Sequence, residues 1–258
     1  MGSLRRALVV AVAVPALVTG LLAVEAVMAR RGPMLEGPPL DLDARVGPPG
    51  AALDVVWLGD STAAGVGASG PSAALPTLVA AGRDGPSQLR VLARSGATVA
   101  DVLEHQLPAL AGTRPDVAFV SVGANDVTHL TSAPDFERGY RRLVAELPGS
   151  PRVVLLGVPD MGAIPRLAQP LRALAGLRGR QLDEVVREVA AETGSAYVDI
   201  AGETGPVMRS DPRRFFAADR YHPSDAGYRE WAAAVLEVVV PAGLPVRHGE
   251  VGKMRSTR

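Results

Sequence analysis

Val55-Val56-Trp57-Leu58-Gly59-Asp60-Ser61 reads as a buried strand that stops at a glycine and hands over to an acid and a serine. Two β-branched residues and a tryptophan favour extended backbone. No polar residue alternates among the four apolar ones, so both faces of the strand must be covered. Similar runs recur along the chain at Leu89 to Ala93, Val117 to Val122 and Val153 to Val158, with a weaker one at Ala196 to Ile200. Helix-like stretches lie between them near 72–83, 98–110, 135–147 and 171–194, and a last one near 225–239. In the last, Tyr228, Trp231, Val235, Leu236 and Val239 recur at helical spacing, and Ser224 is a good N-cap. Apolar strands each followed by a helix imply an α/β fold: a three-layer α/β/α sandwich around a parallel sheet of about five strands. No internal repeat is visible.

Ligands of such sheets bind at the carboxyl ends of the strands. Ser61 follows strand one, Gly96 follows strand two, and Asn125, in Gly123-Ala124-Asn125-Asp126, follows strand three. Asp219-Arg220-Tyr221-His222-Pro223 lies in the loop entering the last helix. The topology therefore brings four distant segments to one rim.

A serine hydroxyl is a poor nucleophile unless a base takes its proton. His222 is one of four histidines, and Asp219 is close enough in a turn to reach its Nδ1, leaving Nε2 for Ser61. Asn125 can donate its side-chain amide to an oxyanion, with the backbone N–H groups of Ser61 and Gly96 as the other donors. The plainer alternatives are a helix N-cap for Ser61, a surface turn for Asp219 to His222, and ordinary turn residues for Gly96 and Asn125. His105 with Asp101 is a rival pair on one helix, but nothing places it in a cleft. His129 is a candidate wall residue of the Asn125 loop, and His248 lies in the tail. Pro159 to Pro165, after strand four, is apolar and too irregular for a helix. Met161 and Ile164 are its candidate pocket residues, the alternative being a plain connecting loop.

Taken in order, these blocks resemble the SGNH hydrolases, also called GDSL esterases and lipases. That family has a serine in a Gly-Asp-Ser block, a glycine in a second, an asparagine in Gly-x-Asn-Asp and a closing Asp-x-x-His. Residues 53 to 240 carry all four in order. Thr62 departs from the leucine or isoleucine usual after the serine, at a position that is not catalytic. The resemblance implies a flavodoxin-like sheet and ester cleavage through an acyl-enzyme. Its implied roles are Ser61 as nucleophile, His222 as base, Asp219 as its orienting acid, and Ser61, Gly96 and Asn125 as the oxyanion hole. It implies a small-molecule ester substrate: a lipid, a short acyl ester or an acetylated glycan. An envelope acyltransferase with the same triad and a non-catalytic envelope-binding domain are the competing readings.

Lysine plus arginine balance aspartate plus glutamate at 27 each, so charge offers no case for nucleic acid. Cysteine is absent, which excludes disulfides, thiolate catalysis and cysteine-bound zinc. Gly65-Val66-Gly67-Ala68-Ser69-Gly70 spells a dinucleotide fingerprint, but it starts several residues past the strand and runs into Pro71. No histidine pair has metal-ligand spacing. No cofactor or metal is expected. Arg5-Arg6 precede an uncharged run from Ala7 to Val24, which reads as an export signal or a membrane anchor over residues 1–29. Residues 30–52 hold Pro33, Pro38, Pro39, Pro48 and Pro49 and read as a linker. The catalytic domain is expected over 53–242 and a basic tail over 243–258. The domain would then be a monomer outside the cytoplasm, tethered to the membrane through its N-terminal segment or secreted.

Overall fold

The computed structural model describes residues 19–22, 24–28, 31, 35, 37 and 44–239. Six strands form one sheet: β1 (Ala44–Val46), β2 (Leu53–Gly59), β3 (Ser87–Val91), β4 (Val117–Ser121), β5 (Arg152–Leu156) and β6 (Ala196–Val198), in the order β1-β3-β2-β4-β5-β6. β2 to β6 run parallel. Successive side chains of a strand point to opposite faces. Val55 and Trp57 therefore join one apolar cluster, and Val56 and Leu58 the other. The first cluster is covered by α2 (Leu75–Gly82) and α9 (Asp225–Val239), through residues such as Val79, Trp231 and Leu236. The second is covered by α5 (Ala133–Ala145) and α6 (Leu171–Thr193), through Phe136, Tyr140, Leu182 and Val186. Trp57 and Phe119 are register partners across β2 and β4, and their rings stack 4.4 Å apart. Such a pair adds about 0.5–1.5 kcal/mol beyond its buried area.

The three-layer arrangement expected above is present, and it places a crevice. The chain passes from β2 outward to β3, then crosses back to β4 on the other side of β2. Ligand sites form at such a reversal, at the carboxyl ends of the two strands that flank it. Ser61 follows β2 and Asn125 follows β4. Gly59, at φ +147°, lets the two strand ends close together: a Cβ there would overlap the Ser121 carbonyl.

The structure departs from the sequence expectation in four places. The sheet has a sixth strand, β1, which lies inside the stretch read as linker and pairs antiparallel with β3 at the edge. The helix expected over 98–110 is composite: α3 (Val99–Asp101), a π turn over Val102–Gln106 and a 3-10 turn over Leu107–Leu110. Between β6 and α9 lie two helices that were not anticipated, α7 (Ile200–Ser210) and α8 (Pro212–Phe215). Gly202, Gly205 and Pro206 hide α7 from propensity, but Asp199 starts it by accepting the Gly202 N–H at 2.7 Å. Finally, residues 19–22 and 24–28 are helical, and Glu25, read as outside the fold, is buried. Its Oε2 accepts the Leu171 N–H at 3.0 Å and so caps the first turn of α6. Among the described residues no helix is long and apolar enough to cross a membrane. Most of the uncharged run, and the basic tail, lie outside the described residues.

Candidate active site

The candidate side chains lie in or beside the loops at the ends of regular elements: Ser61 after β2, Asn125 in the first turn after β4, and Asp219 and His222 ahead of α9. Ser61 leaves β2 in a tight turn closed by the Val66 N–H donating to the Ser61 carbonyl at 2.9 Å. Gly67, at φ +94°, brings this loop against the histidine loop: a Cβ there would collide with the Pro223 carbonyl. Ser224 caps α9 as expected, accepting from Ala226 and Gly227 N–H, and so fixes where His222 stands.

The geometry is that of a proton relay. His222 Nε2 lies 3.0 Å from Ser61 Oγ, and Nδ1 lies 2.6 Å from Asp219 Oδ2. Asp219 Oδ1 also accepts the N–H groups of Tyr221 and His222 at 3.0 and 3.1 Å. Burial pushes the Asp219 carboxyl up, but the hydrogen bonds from His222 and from these two backbone groups outweigh it and hold it below the ordinary carboxylate range. An ionised carboxylate only accepts, so Nδ1 must carry the proton and Nε2 must present its lone pair to Ser61. All three residues are buried, which shields the relay from water.

Asn125 is placed by α4 (Ala124–Thr128). Its Nδ2 donates to the Ala97 carbonyl at 3.0 Å, which ties the third block to the loop holding Gly96. An amide has two N–H donors, so one remains for an oxyanion. Gly96 is exposed and has φ +85°, a conformation that suits glycine. Met161 and Ile164 line the same cavity as Ser61 and His222, and Met161 begins a 3-10 turn (Met161–Ala163) started by Asp160. His129 does not line that cavity; its Nδ1 lies 2.9 Å from the Asn125 carbonyl. The rival pair does not form a relay, since Asp101 accepts from Thr98 N–H and Oγ1 in a capping box while His105 is exposed.

Several supporting residues escaped the sequence reading. Gln106 clamps Gly59 from both sides, its Oε1 accepting the Gly59 N–H at 2.8 Å and its Nε2 donating to the Gly59 carbonyl at 2.7 Å. Asp60 accepts from Thr62 N–H and Oγ1, and Thr62 Oγ1 also meets Ser121 Oγ at 3.0 Å. The threonine that departs from the family pattern thus links β2 to β4. Burial raises the Asp60 carboxyl above its usual range in spite of these bonds. Burial likewise pushes Asp126 up to about 6, although it accepts the Val99 N–H at 3.1 Å. Gln106 directly follows Glu104 and His105, so no local pattern marks it out from its polar neighbours.

Asp126 allows a pH test. The folded protein keeps this proton up to about pH 6, while the unfolded chain gives it up near 3.8. Between those values the folded state binds more protons, so the contribution of this group to stability falls as pH rises. Asp126→Asn is neutral throughout and lacks this slope. The stability of the variant relative to the wild type should therefore climb between pH 4 and 6, as read from urea unfolding midpoints. A difference flat across that range would show that Asp126 titrates normally.

Comparison with known proteins shows the family and the fold. The sequence pattern of the GDSL-like lipase/acylhydrolase family matches residues 57–230. A GDSL-like esterase of Mycobacterium tuberculosis is 33% identical over 182 residues, which cover 68% of this chain and 58% of that relative. The chain thus spans little more than half the length of that protein. An acetylxylan esterase of Geobacillus stearothermophilus is 28% identical over 155 residues, 56% of this chain and 68% of the relative. Among solved structures, a member of the lipolytic G-D-S-L family from Veillonella parvula superposes with a TM-score of 0.62 at 17% identity, covering 73% of this chain and 99% of that one. The fold, the four blocks and the relay they assemble lead to one assignment: the chain belongs to the GDSL-like lipase/acylhydrolase family.

Proposed function

We propose that the protein hydrolyses carboxylic esters through an acyl-enzyme formed on Ser61. The observation that carries this reading is the buried Ser61–His222–Asp219 relay, with both links at hydrogen-bond length, opening on an apolar cavity. Ser61 Oγ attacks the acyl carbonyl while its proton passes to His222 Nε2. Asp219 stabilises the imidazolium that forms. The developing oxyanion is received by Asn125 and by the N–H groups of Ser61 and Gly96. His222 then gives the proton to the leaving alcohol. Water repeats the sequence on the acyl-enzyme, and the carboxylic acid departs. All of these groups come from one chain, so a monomer suffices.

The basic flank and uncharged run at the N-terminus support a domain held outside the cytoplasm, tethered or released. One experiment tests chemistry and location together. A membrane-impermeant fluorophosphonate probe applied to intact cells should label the chain, and the modified peptide should carry Ser61. Recovery of the label in the membrane fraction would mean a tether, and in the medium a released enzyme. Labelling only after lysis would overturn the location, and no labelling in either case would overturn the serine hydrolase reading.

A further inference from the structure

Among the described residues few large apolar side chains are left exposed, and they gather on one face. Leu174 and Leu177 stand out from the first turns of α6. Val24, Val27 and Met28 belong to the helical residues 24–28, and Leu21 to the helical residues 19–22. Leu130, in the turn after α4, is 73% exposed. Two contacts bring these pieces together. Glu25 Oε2 accepts the Leu171 N–H at 3.0 Å, which lays residues 24–28 against the start of α6. Arg178 donates to the Thr131 carbonyl, which holds the Leu130 turn against the same helix. Leu171 and Arg178 are about 10 Å apart along that helix, and Leu174 lies between them on the same side. The face also reaches the active-site rim, because Leu130 follows α4, which carries Asn125.

We propose that this face docks on an anionic lipid bilayer and holds the active-site rim against it. A single exposed leucine needs no partner, but a contiguous apolar face beside a cleft marks an interaction surface. Two features favour a bilayer as the occupant. The uncharged run from Ala7 ends at Val24, so its last residues belong to this face, and whatever receives the run lies against it. That run has the length a hydrocarbon core takes. The surround, moreover, is basic. Residues 161–182 carry Arg166, Arg172, Arg178 and Arg180 and no acid, and Arg30-Arg31 follow the N-terminal helical residues. Glu25, the first acid of the chain, is buried and used on the α6 N-terminus, so it puts no negative charge on the face. Apolar residues flanked by arginines suit the boundary between headgroups and acyl chains of anionic lipid. A protein partner would explain the apolar centre but not the run that leads into it. The inference deepens the location read above and does not rest on the ester chemistry.

The chain has no cysteine, so single cysteines can report on position. Leu130→Cys, Leu174→Cys and Leu177→Cys in the full chain would each carry a nitrobenzoxadiazole label. Asp84→Cys is the control, since Asp84 is exposed ahead of β3, at the opposite end of the sheet from the active site. All four positions are exposed, so the fold should survive, and a thermal melt checks it. The vesicles are phosphatidylcholine and phosphatidylglycerol in equal parts. On them the three leucine positions should sit about 5–10 Å inside the headgroup boundary. Their labels should lose most of their fluorescence to brominated acyl chains, while the Asp84 label keeps its own. Vesicles of phosphatidylcholine alone should quench less, and equal quenching there would overturn the anionic preference. Three unquenched labels in chains that float with the vesicles would overturn the docking, since the N-terminal run alone would then hold the protein. Equal quenching at Asp84 would overturn the fixed orientation. Labels shielded without vesicles, in a particle of twice the chain's mass, would make a second copy the occupant and end the proposal. Turnover of a soluble ester is read separately on the same samples, so failure of the docking and failure of the esterase reading are told apart.

Discussion

Ser61→Ala should lower esterase kcat by about 10⁴–10⁶, and His222→Ala by a similar factor. Each loss removes one end of the same proton transfer. Without Oγ there is nothing to acylate; without Nε2, 3.0 Å away, the hydroxyl keeps its proton. The double variant should therefore be about as slow as either single one, because residues acting as a unit do not add. The oxyanion donors and the cavity would account for what activity remains. Folding should survive. Ser61→Ala removes a single oxygen and leaves His222 Nε2 without its partner, at roughly 1–3 kcal/mol for a buried polar group. Burst kinetics with a chromogenic ester, alongside a thermal melt, separate the two effects. More than a tenth of wild-type activity in either folded variant would mean that the nucleophile or the base lies elsewhere.

Asn125→Ala should cost about 10²–10³ in kcat, or 3–4 kcal/mol, with KM little changed. The donor acts where charge develops, so its loss raises the barrier more than it weakens ground-state binding. The structure adds a second effect, because the Asn125 amide also holds the Ala97 carbonyl beside Gly96. Removing it slackens the loop that presents the Gly96 N–H, so the loss should reach the upper end of that range. Asn125→Asp keeps the volume but turns an oxygen toward the Ala97 carbonyl, and it should recover nothing. A change confined to KM in Asn125→Ala would assign that residue to substrate contact instead of oxyanion stabilisation.

Much of the site was legible in the chain because its signals are local. Asp219 and His222 are three residues apart, and one turn suffices to join them. Gly59-Asp60-Ser61 and Gly123 to Asn125 each follow an apolar run, and a strand end is where a parallel sheet puts its ligands. Ser224 could be read as a cap from its position alone. Gln106 could not be assigned to Gly59, since 47 positions separate them and only the π turn aims the amide.

By itself, the sequence determined the layer architecture, the five parallel strands, and the three residues, Ser61, His222 and Asp219, that stand hydrogen-bonded in line. Side-chain periodicity and turn chemistry act over a few residues, and each of these features is built from such stretches. Tertiary structure alone decided the rest. β1 is three residues of a proline- and glycine-rich stretch, and it is a strand only because β3 offers an edge from Ser87 to Leu89. α7 has poor intrinsic propensity and persists through its Asp199 cap and its packing on α9 and on the loop after β5. Glu25 gained its partner, the Leu171 N–H, from the far side of the sequence. Two of the cavity's walls, Met161 and Ile164, stood out locally in the loop after β5, but the others come from α7, Phe216 and Trp231, and the space exists only once helix, loop and sheet have packed around it. Short-range signals write the reacting groups, while long-range packing sets the space in which they act.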